Sequence, residues 1–230
     1  MAIPVLVEEY PLMTFAPPGD WGPLESALDR WDSFAAVAFT SPRAAAAVRE
    51  RLAGRRPRGQ NIPMVWAGGT VTKDALGEAL PQVFTPDEAD AERLGAAEAL
   101  ARAMLDAGVG GPVLFPCGDS RRDELPERLR SRGVEVEEVV CYRSVLASES
   151  MAHAAAARGT MLVVASPTVA NLLVRACPPD ARPDLLAVGP TTAASARASG
   201  WVPAAVASSP SAGALAAAVK DVLARRAIHE

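Results

Sequence analysis

Short apolar runs alternate with longer amphipathic stretches along the whole chain. The runs of strand length are residues 5–7, 35–40, 63–67, 112–115, 161–165, 185–188 and 202–206, with a shorter one around Val83. The stretches with helical periodicity are residues 24–31, 44–52, 73–80, 90–107, 121–132, 168–176, 191–197 and the closing segment to residue 228. Residues 134–142 alternate valine with glutamate, which is typical of a strand with one solvent-exposed face. Strands that alternate with helices indicate an α/β fold with parallel sheets.

One order of elements and turns occurs twice. In each half a strand, a Ser-Pro turn, a helix, a second strand and a Gly-x-x-Thr turn follow one another. The residues concerned are Ser41, Gly69 and Thr72 in the first half, and Ser166, Gly189 and Thr192 in the second. This repetition predicts two related α/β domains that face each other across a cleft, with the ligand near the carboxyl ends of the strands.

The turns themselves suit an anionic ligand. Gly189 lets the backbone come close to a ligand, and Pro190 begins a helix without wasting an N–H. Thr191 and Thr192 then place hydroxyls beside the free N–H groups of the first helical turn, which attract anions. Ser41 is a candidate N-cap in the same sense. Each turn taken alone can equally be a plain helix cap, and only their recurrence favours a binding site.

Two side chains beside the turns are candidates for chemistry. Arg43 stands just inside a helix start, where a cation is unfavourable for the helix dipole and a negative ligand would offset the cost. Arg121 and Arg122 are predicted to occupy similar places. Tyr142 lies at a strand end, where its phenol can donate a proton or a hydrogen bond. A solvated surface arginine and a half-buried aromatic at a domain junction remain the alternatives.

Charge restricts the ligand and the partners. The 23 basic and 27 acidic residues give a net charge of −4, so bulk attraction to nucleic acid is not expected. Helix ends, backbone amides and single arginines must therefore hold an anion locally. The sequence has neither a membrane-spanning apolar stretch nor a signal-peptide pattern, so we expect a cytoplasmic protein without a membrane partner.

Metal and disulfide chemistry are not indicated by the sequence. The three cysteines form neither a CxxC motif nor a cluster with histidine, and two of them lie in apolar runs typical of buried thiols. The two histidines, His153 and His229, fall in helical stretches. We therefore predict no metal site and no histidine-based triad.

Several stretches, taken in order, resemble the uroporphyrinogen-III synthase family. They are residues 39–44, 114–118 followed by Leu125-Pro126, 139–144, 165–167 and 188–193. The resemblance runs nearly end to end, and the order and spacing of the stretches are specific. It implies two α/β domains joined by a two-stranded linker. Residues 1–11 with 145–230 would form a terminal domain, and residues 12–144 the middle domain.

The resemblance also implies an activity. The family closes hydroxymethylbilane, a linear tetrapyrrole, to uroporphyrinogen III with loss of water and inversion of the last pyrrole ring, and it uses no cofactor. Tyr142 matches the tyrosine proposed as the acid. The family positions that bind the acetate and propionate arms of the substrate match Ser41, Thr72, Ser166, Thr168, Thr191 and Thr192. Further binding candidates at the same turns are Arg43, Gly69, Gly118, Pro167 and Gly189. The expected partner is this polycarboxylate tetrapyrrole alone, bound by a monomer.

The sequence departs from the family pattern in two places. The family usually begins with a further strand and helix, without which the terminal domain would lack an interior strand of its sheet. Two alternatives follow: the true start lies upstream, or this domain is rebuilt or impaired. Lys73 stands where the family commonly has a small residue. The alternatives are a non-catalytic domain of the same fold that binds a tetrapyrrole or another anion as a regulator, and an unrelated two-domain anion-binding protein.

Overall fold

The chain divides into two compact units. The computed structural model describes residues 5–53, 62–80, 82–121, 123–209 and 211–229. The terminal unit comprises Met1–Thr14 with Val145–Glu230, and the middle unit comprises Phe15–Ser144. The chain passes between them within β1 (Met13–Ala16) and within β6 (Val136–Leu146), which are neighbours in one sheet. Leu12 is buried in the core of the terminal unit, so the first passage follows Thr14 rather than residue 11.

The middle unit is a sheet with helices on both faces. Its remaining strands are β2 (Ala36–Phe39), β3 (Met64–Ala67), β4 (Val83–Phe84) and β5 (Val113–Gly118). Its helices are α1 (Gly22–Asp29), α2 (Pro42–Leu52), α3 (Thr70–Leu76), α4 (Glu88–Leu94), α5 (Ala96–Asp106) and α6 (Glu124–Arg130). Within the described residues the strand order is β1-β6-β5-β2-β3-β4, and every pair from β6 to β4 is parallel.

Strand β2 shows how the sheet of the middle unit is buried. Val37 and Phe39 pack into the core cluster beneath α1 and α2. Ala36 and Ala38 pack into the opposite cluster, beneath α5 and α6. All four side chains are buried, as expected for a parallel strand covered by helices on both faces. This burial fixes the carboxyl end of β2, and with it the turn that contains Ser41.

The terminal unit repeats this pattern on a smaller scale. Its elements are α7 (Glu149–Arg158), β7 (Met161–Val164), α8 (Pro167–Ala176), β8 (Asp184–Val188), α9 (Pro190–Ala198), β9 (Ala205–Ala207) and α10 (Ala212–His229). In the described part of the chain, β7, β8 and β9 form a parallel sheet in that order. Strand β7 is one edge of this sheet, and a cavity of about 690 Å³ lies between β7 and residues 5–13.

Two predictions of secondary structure were wrong. Residues 5–7 belong to no strand, and their side chains are exposed, because no neighbouring strand pairs with them. The helix predicted over residues 90–107 is two helices. Gly95 separates them, since its φ of +88° ends α4 in a left-handed conformation that favours glycine. Helix α7 contains His153 and so agrees with the helical stretch expected there, for which the alanine-rich sequence gave no bounds.

Candidate active site

Three neighbouring strands of the middle unit end at one edge of the sheet, beside a fourth that continues past it, and this edge carries several of the predicted residues. Strands β6, β5, β2 and β3 lie side by side. Gly118 ends β5, Ser41 follows β2 and Gly69 follows β3. Tyr142 lies opposite Gly118 but inside β6, which continues to Leu146, so the prediction that it lies at a strand end was wrong. Parallel strands place their carboxyl ends together, and ligands of open α/β sheets bind at that edge.

A hydrogen bond joins Ser41 to Tyr142. Ser41 Oγ donates to Tyr142 Oη over 3.1 Å, and both side chains are half-buried. Ser41 is the N-cap residue of α2, with extended backbone, but its side chain accepts no N–H from the helix. Ser41 is therefore the N-cap residue by position and backbone conformation, as predicted, but its hydroxyl does not cap the helix. By contrast, Ser166 caps α8 in the ordinary way, accepting from Val169 N over 3.4 Å.

A β-bulge directs Tyr142 toward the face of the sheet that α2 covers. The register pairs Cys117 with Val140 but Gly118 with Tyr142, so β6 carries one extra residue at this point. Consecutive residues of a regular strand point to opposite faces. Here Cys141 and Tyr142 both pack against the core cluster on the α1–α2 side. The bulge therefore brings the phenol to the same face as the start of α2.

Gly118 lies directly against the tyrosine ring. A Cβ on Gly118 would lie 2.5 Å from Tyr142 Cζ and 2.8 Å from Tyr142 Oη, closer than real carbon contacts. The next residue secures the same strand: Asp119 N donates to Tyr142 O over 3.1 Å, and Ser144 N donates to Asp119 Oδ1 over 2.9 Å. Glycine is needed at position 118 so that the ring can approach the backbone. Asp119 was not among the candidate residues predicted from the sequence.

Arg43 and Tyr142 share an aromatic neighbour, Phe15 of β1. The guanidinium carbon of Arg43 lies 3.5 Å from the centroid of the Phe15 ring. The Phe15 and Tyr142 rings meet edge to face, with centroids 5.7 Å apart and an interplanar angle of 74°. Phe15 was not predicted from the sequence, because a single aromatic residue in an extended segment does not reveal what packs on it.

Arg121 has protein partners in place of a ligand. Its guanidinium pairs with Glu138 and lies 3.5 Å from the Asp123 carboxylate. The bond from Arg121, with a further bond from Arg130 at 2.8 Å, holds the pKa of the Glu138 carboxyl below its usual value. Helix α6 begins only at Glu124, so Arg121 precedes the helix instead of standing in its first turn. Arg122 lies outside the described residues.

The other predicted binding residues differ in accessibility. Thr72 and Thr192 are only 6% and 2% exposed. Thr168 and Thr191 are exposed, whereas Ser166, Pro167, Gly69 and Gly189 are half-buried. In the terminal unit Val164 of β7 pairs with Ala187 of β8, so the Ser166 and Gly189 turns are adjacent. Gly189 adopts a φ of +84°, which explains why glycine stands there.

The cysteines are buried free thiols. Burial raises the pKa of Cys117 to about 11 and that of Cys141 to about 12. Both groups therefore remain protonated near neutral pH and are poor nucleophiles. Among the residues that the structure describes, no three His, Cys, Asp or Glu side chains are grouped so as to hold a metal ion, and no helix is long and apolar enough to cross a membrane.

This architecture defines the class of the molecule: an α/β protein of two units, between which the chain passes twice. A family model described as uroporphyrinogen-III synthase HemD matches residues 5–217. The chain therefore belongs to the uroporphyrinogen-III synthase family, lyases of haem biosynthesis. The resemblance inferred from the sequence motifs is confirmed.

Solved structures of this family have the same fold. A mutant uroporphyrinogen III synthase from the extremely thermophilic bacterium Thermus thermophilus matches with a TM-score of 0.59 and 17% identity, over 93% of this chain and 88% of that one. The uroporphyrinogen-III synthetase of Helicobacter pylori matches with a TM-score of 0.58 and 20% identity, over 91% of this chain and 90% of that one. These likenesses confirm the predicted α/β fold class.

Proposed function

We propose that this chain closes hydroxymethylbilane to uroporphyrinogen III, with Tyr142 as the acid and the carboxyl edge of the middle unit as part of the binding site. Family membership supports the reaction. The observation that supports the assignment to this edge is the hydrogen bond between Ser41 and Tyr142, formed where β5, β2 and β3 end beside β6. A phenol in this place can reach a substrate bound above the sheet.

The reaction requires the departure of one hydroxyl group. The electron-rich terminal pyrrole releases it as its C–O bond breaks, and Tyr142 Oη–H gives the proton that turns it into water. The last pyrrole then attacks the cation left behind through the α-carbon that already carries the neighbouring bridge. That ring–bridge bond breaks, and the bridge rejoins the ring at its free α-carbon, which reverses the ring. The proton displaced from this carbon returns to the phenolate, so the net loss is one water. Ser41 Oγ, already aimed at Tyr142 Oη, stabilises the transient negative charge.

The substrate's carboxylates need donors, and the turns supply them. Helix α2 begins with N–H groups that the Ser41 side chain leaves uncapped, and Arg43 stands in its first turn. In the terminal unit, the exposed Thr168 and Thr191 stand in the first turns of α8 and α9. We assign acetate and propionate arms to these turns and to the backbone at Gly69 and Gly189. Buried Thr72 and Thr192 would support the turns from within.

We extend the proposal to the working state of the protein: a monomer in the cytoplasm, whose partner is the polycarboxylate tetrapyrrole and not nucleic acid. The net charge of −4 supports the last point, because it opposes non-specific binding to phosphate backbones. Sedimentation analysis with and without substrate tests the oligomeric state.

The identity of the product tests the function. Hydroxymethylbilane closes spontaneously to the I isomer, in which no ring is reversed. Incubation with the purified protein, followed by oxidation and chromatographic separation of the porphyrins, should give the III isomer in proportion to enzyme concentration. A mixture that contains only the I isomer would refute the proposed function.

Replacing Tyr142 with phenylalanine should lower kcat by roughly a hundredfold, because the proton donor is lost. KM should change little, since the ring and its contact with Phe15 are kept. Steady-state kinetics on hydroxymethylbilane measure both quantities. Tyr10→Phe is the matched control: Tyr10 is the second tyrosine, and its hydroxyl donates to Glu8 in the terminal unit. An unchanged kcat in Tyr142→Phe would remove the phenol from the mechanism.

A further inference from the structure

Among the residues of the middle unit that the structure describes, three arginines lie over aromatic rings, which allows their surroundings to be compared. Arg30 lies 5.3 Å from the ring centroid of Phe34. Arg51 lies 3.5 Å from that of Trp21. Arg43 lies 3.5 Å from that of Phe15. A guanidinium above a ring keeps the donors around its own edge free for an anion.

The three differ in what those donors contact. Arg30 pairs with Glu137 and Arg51 with Glu25, each at 2.5 Å. For Arg43, no carboxylate within ion-pair distance is found in the part of the chain that the structure describes. Arg43 therefore lies over an aromatic ring as the other two do, but among the described residues its charge lacks the carboxylate that they have.

The ring under Arg43 is held by the proposed acid. Phe15 is 38% exposed, so the core does not fix it. The edge-to-face contact with the Tyr142 ring holds the Phe15 ring in place. Tyr142 is restrained in turn by the Ser41 hydroxyl and by the Gly118 backbone. A continuous set of contacts thus runs from the phenol through Phe15 to the guanidinium.

We propose that Phe15 is a positioning residue that holds the Arg43 guanidinium as a binding group for one carboxylate arm of the substrate, next to Tyr142. The inference rests on the proposed function and adds to it a residue outside the turn motifs. Phe15 does not touch the reacting atoms. It restricts Arg43 to orientations in which a bound carboxylate completes the ion pair that Arg30 and Arg51 already possess.

The test separates binding from chemistry. Replacing Phe15 with leucine removes the ring and should raise KM for hydroxymethylbilane by about two- to fivefold, the range expected for an exposed cation–π contact. The value of kcat should change by less than about twofold, because Tyr142 keeps its bond to Ser41. Phe15→Tyr retains an aromatic ring and should restore the wild-type KM.

Two further variants establish that Phe15 acts through Arg43. Arg43→Gln should raise KM roughly tenfold, as expected for loss of a charge-assisted hydrogen bond. Adding Phe15→Leu to Arg43→Gln should then change KM no further. Trp21→Leu is the matched control, because it removes an equivalent stack from Arg51, whose charge already has a partner. Its KM should equal that of the wild type.

The outcomes distinguish the inference from the function on which it rests. A wild-type protein that forms no uroporphyrinogen III refutes the proposed function. An active wild type with an unchanged KM in Phe15→Leu, or an equal rise in Trp21→Leu, overturns the inference alone. If Phe15→Leu fails to fold, Arg43→Gln replaces it in the test, because Arg43 is exposed and its substitution should leave the fold intact. An unchanged KM in Arg43→Gln also overturns the inference.

Discussion

Replacing Gly118 with alanine is expected to lower kcat for ring closure by about a hundredfold, the scale expected when a catalytic group is displaced by about 1 Å. The added Cβ would lie 2.5 Å from Tyr142 Cζ, so either the ring or the β5 backbone must move. The ring is the softer element, and its displacement breaks the bond from Ser41 Oγ. Steady-state kinetics with hydroxymethylbilane, together with thermal unfolding of both proteins, measure the effect.

Gly19→Ala provides the control for the Gly118 variant. Gly19 belongs to the same unit, and a Cβ at that position would meet no atom within 4 Å. We expect wild-type kcat and unfolding temperature for this variant. If Gly118→Ala retained the kcat of the wild type, close contact between ring and backbone would not be required for the reaction, and the assignment of the site would have to be reconsidered.

The starts of the helices at the site were predictable from sequence, because local chemistry determines them. Proline has a fixed φ that suits the first helical position and lacks the N–H that would be unpaired there. Helices α2 and α8 accordingly begin at Pro42 and Pro167, directly after the serine of each Ser-Pro motif and within two residues of the predicted starts. The same reasoning located the Gly189 turn, where a φ of +84° requires glycine.

The geometry at Tyr142 was not predictable from sequence, because it depends on pairing between distant segments. The bulge arises from the register of β5 against β6, and nothing in the residues around Val140 indicates an extra residue. Phe15 reaches Arg43 only once β1 lies beside β6. The failed strand at residues 5–7 has the same cause, since an apolar run becomes a strand only when another strand pairs with it.

Replacing Phe39 with alanine is expected to lower the free energy of unfolding of the middle unit by about 3–5 kcal/mol, the usual cost of removing a buried phenylalanine ring. Phe39 is 0% exposed and ends β2, two residues before Ser41, so the cavity should also loosen the Ser41 turn and reduce kcat. Urea unfolding followed by tryptophan fluorescence reports mainly on this unit, which holds three of the four tryptophans, Trp21, Trp31 and Trp66.

Phe84→Ala is the control, because Phe84 is half-buried in the edge strand β4, and it should lower the free energy of unfolding by less than Phe39→Ala does. A loss below about 1 kcal/mol in Phe39→Ala, no larger than an ordinary surface change, would contradict the central place of β2 in positioning the site.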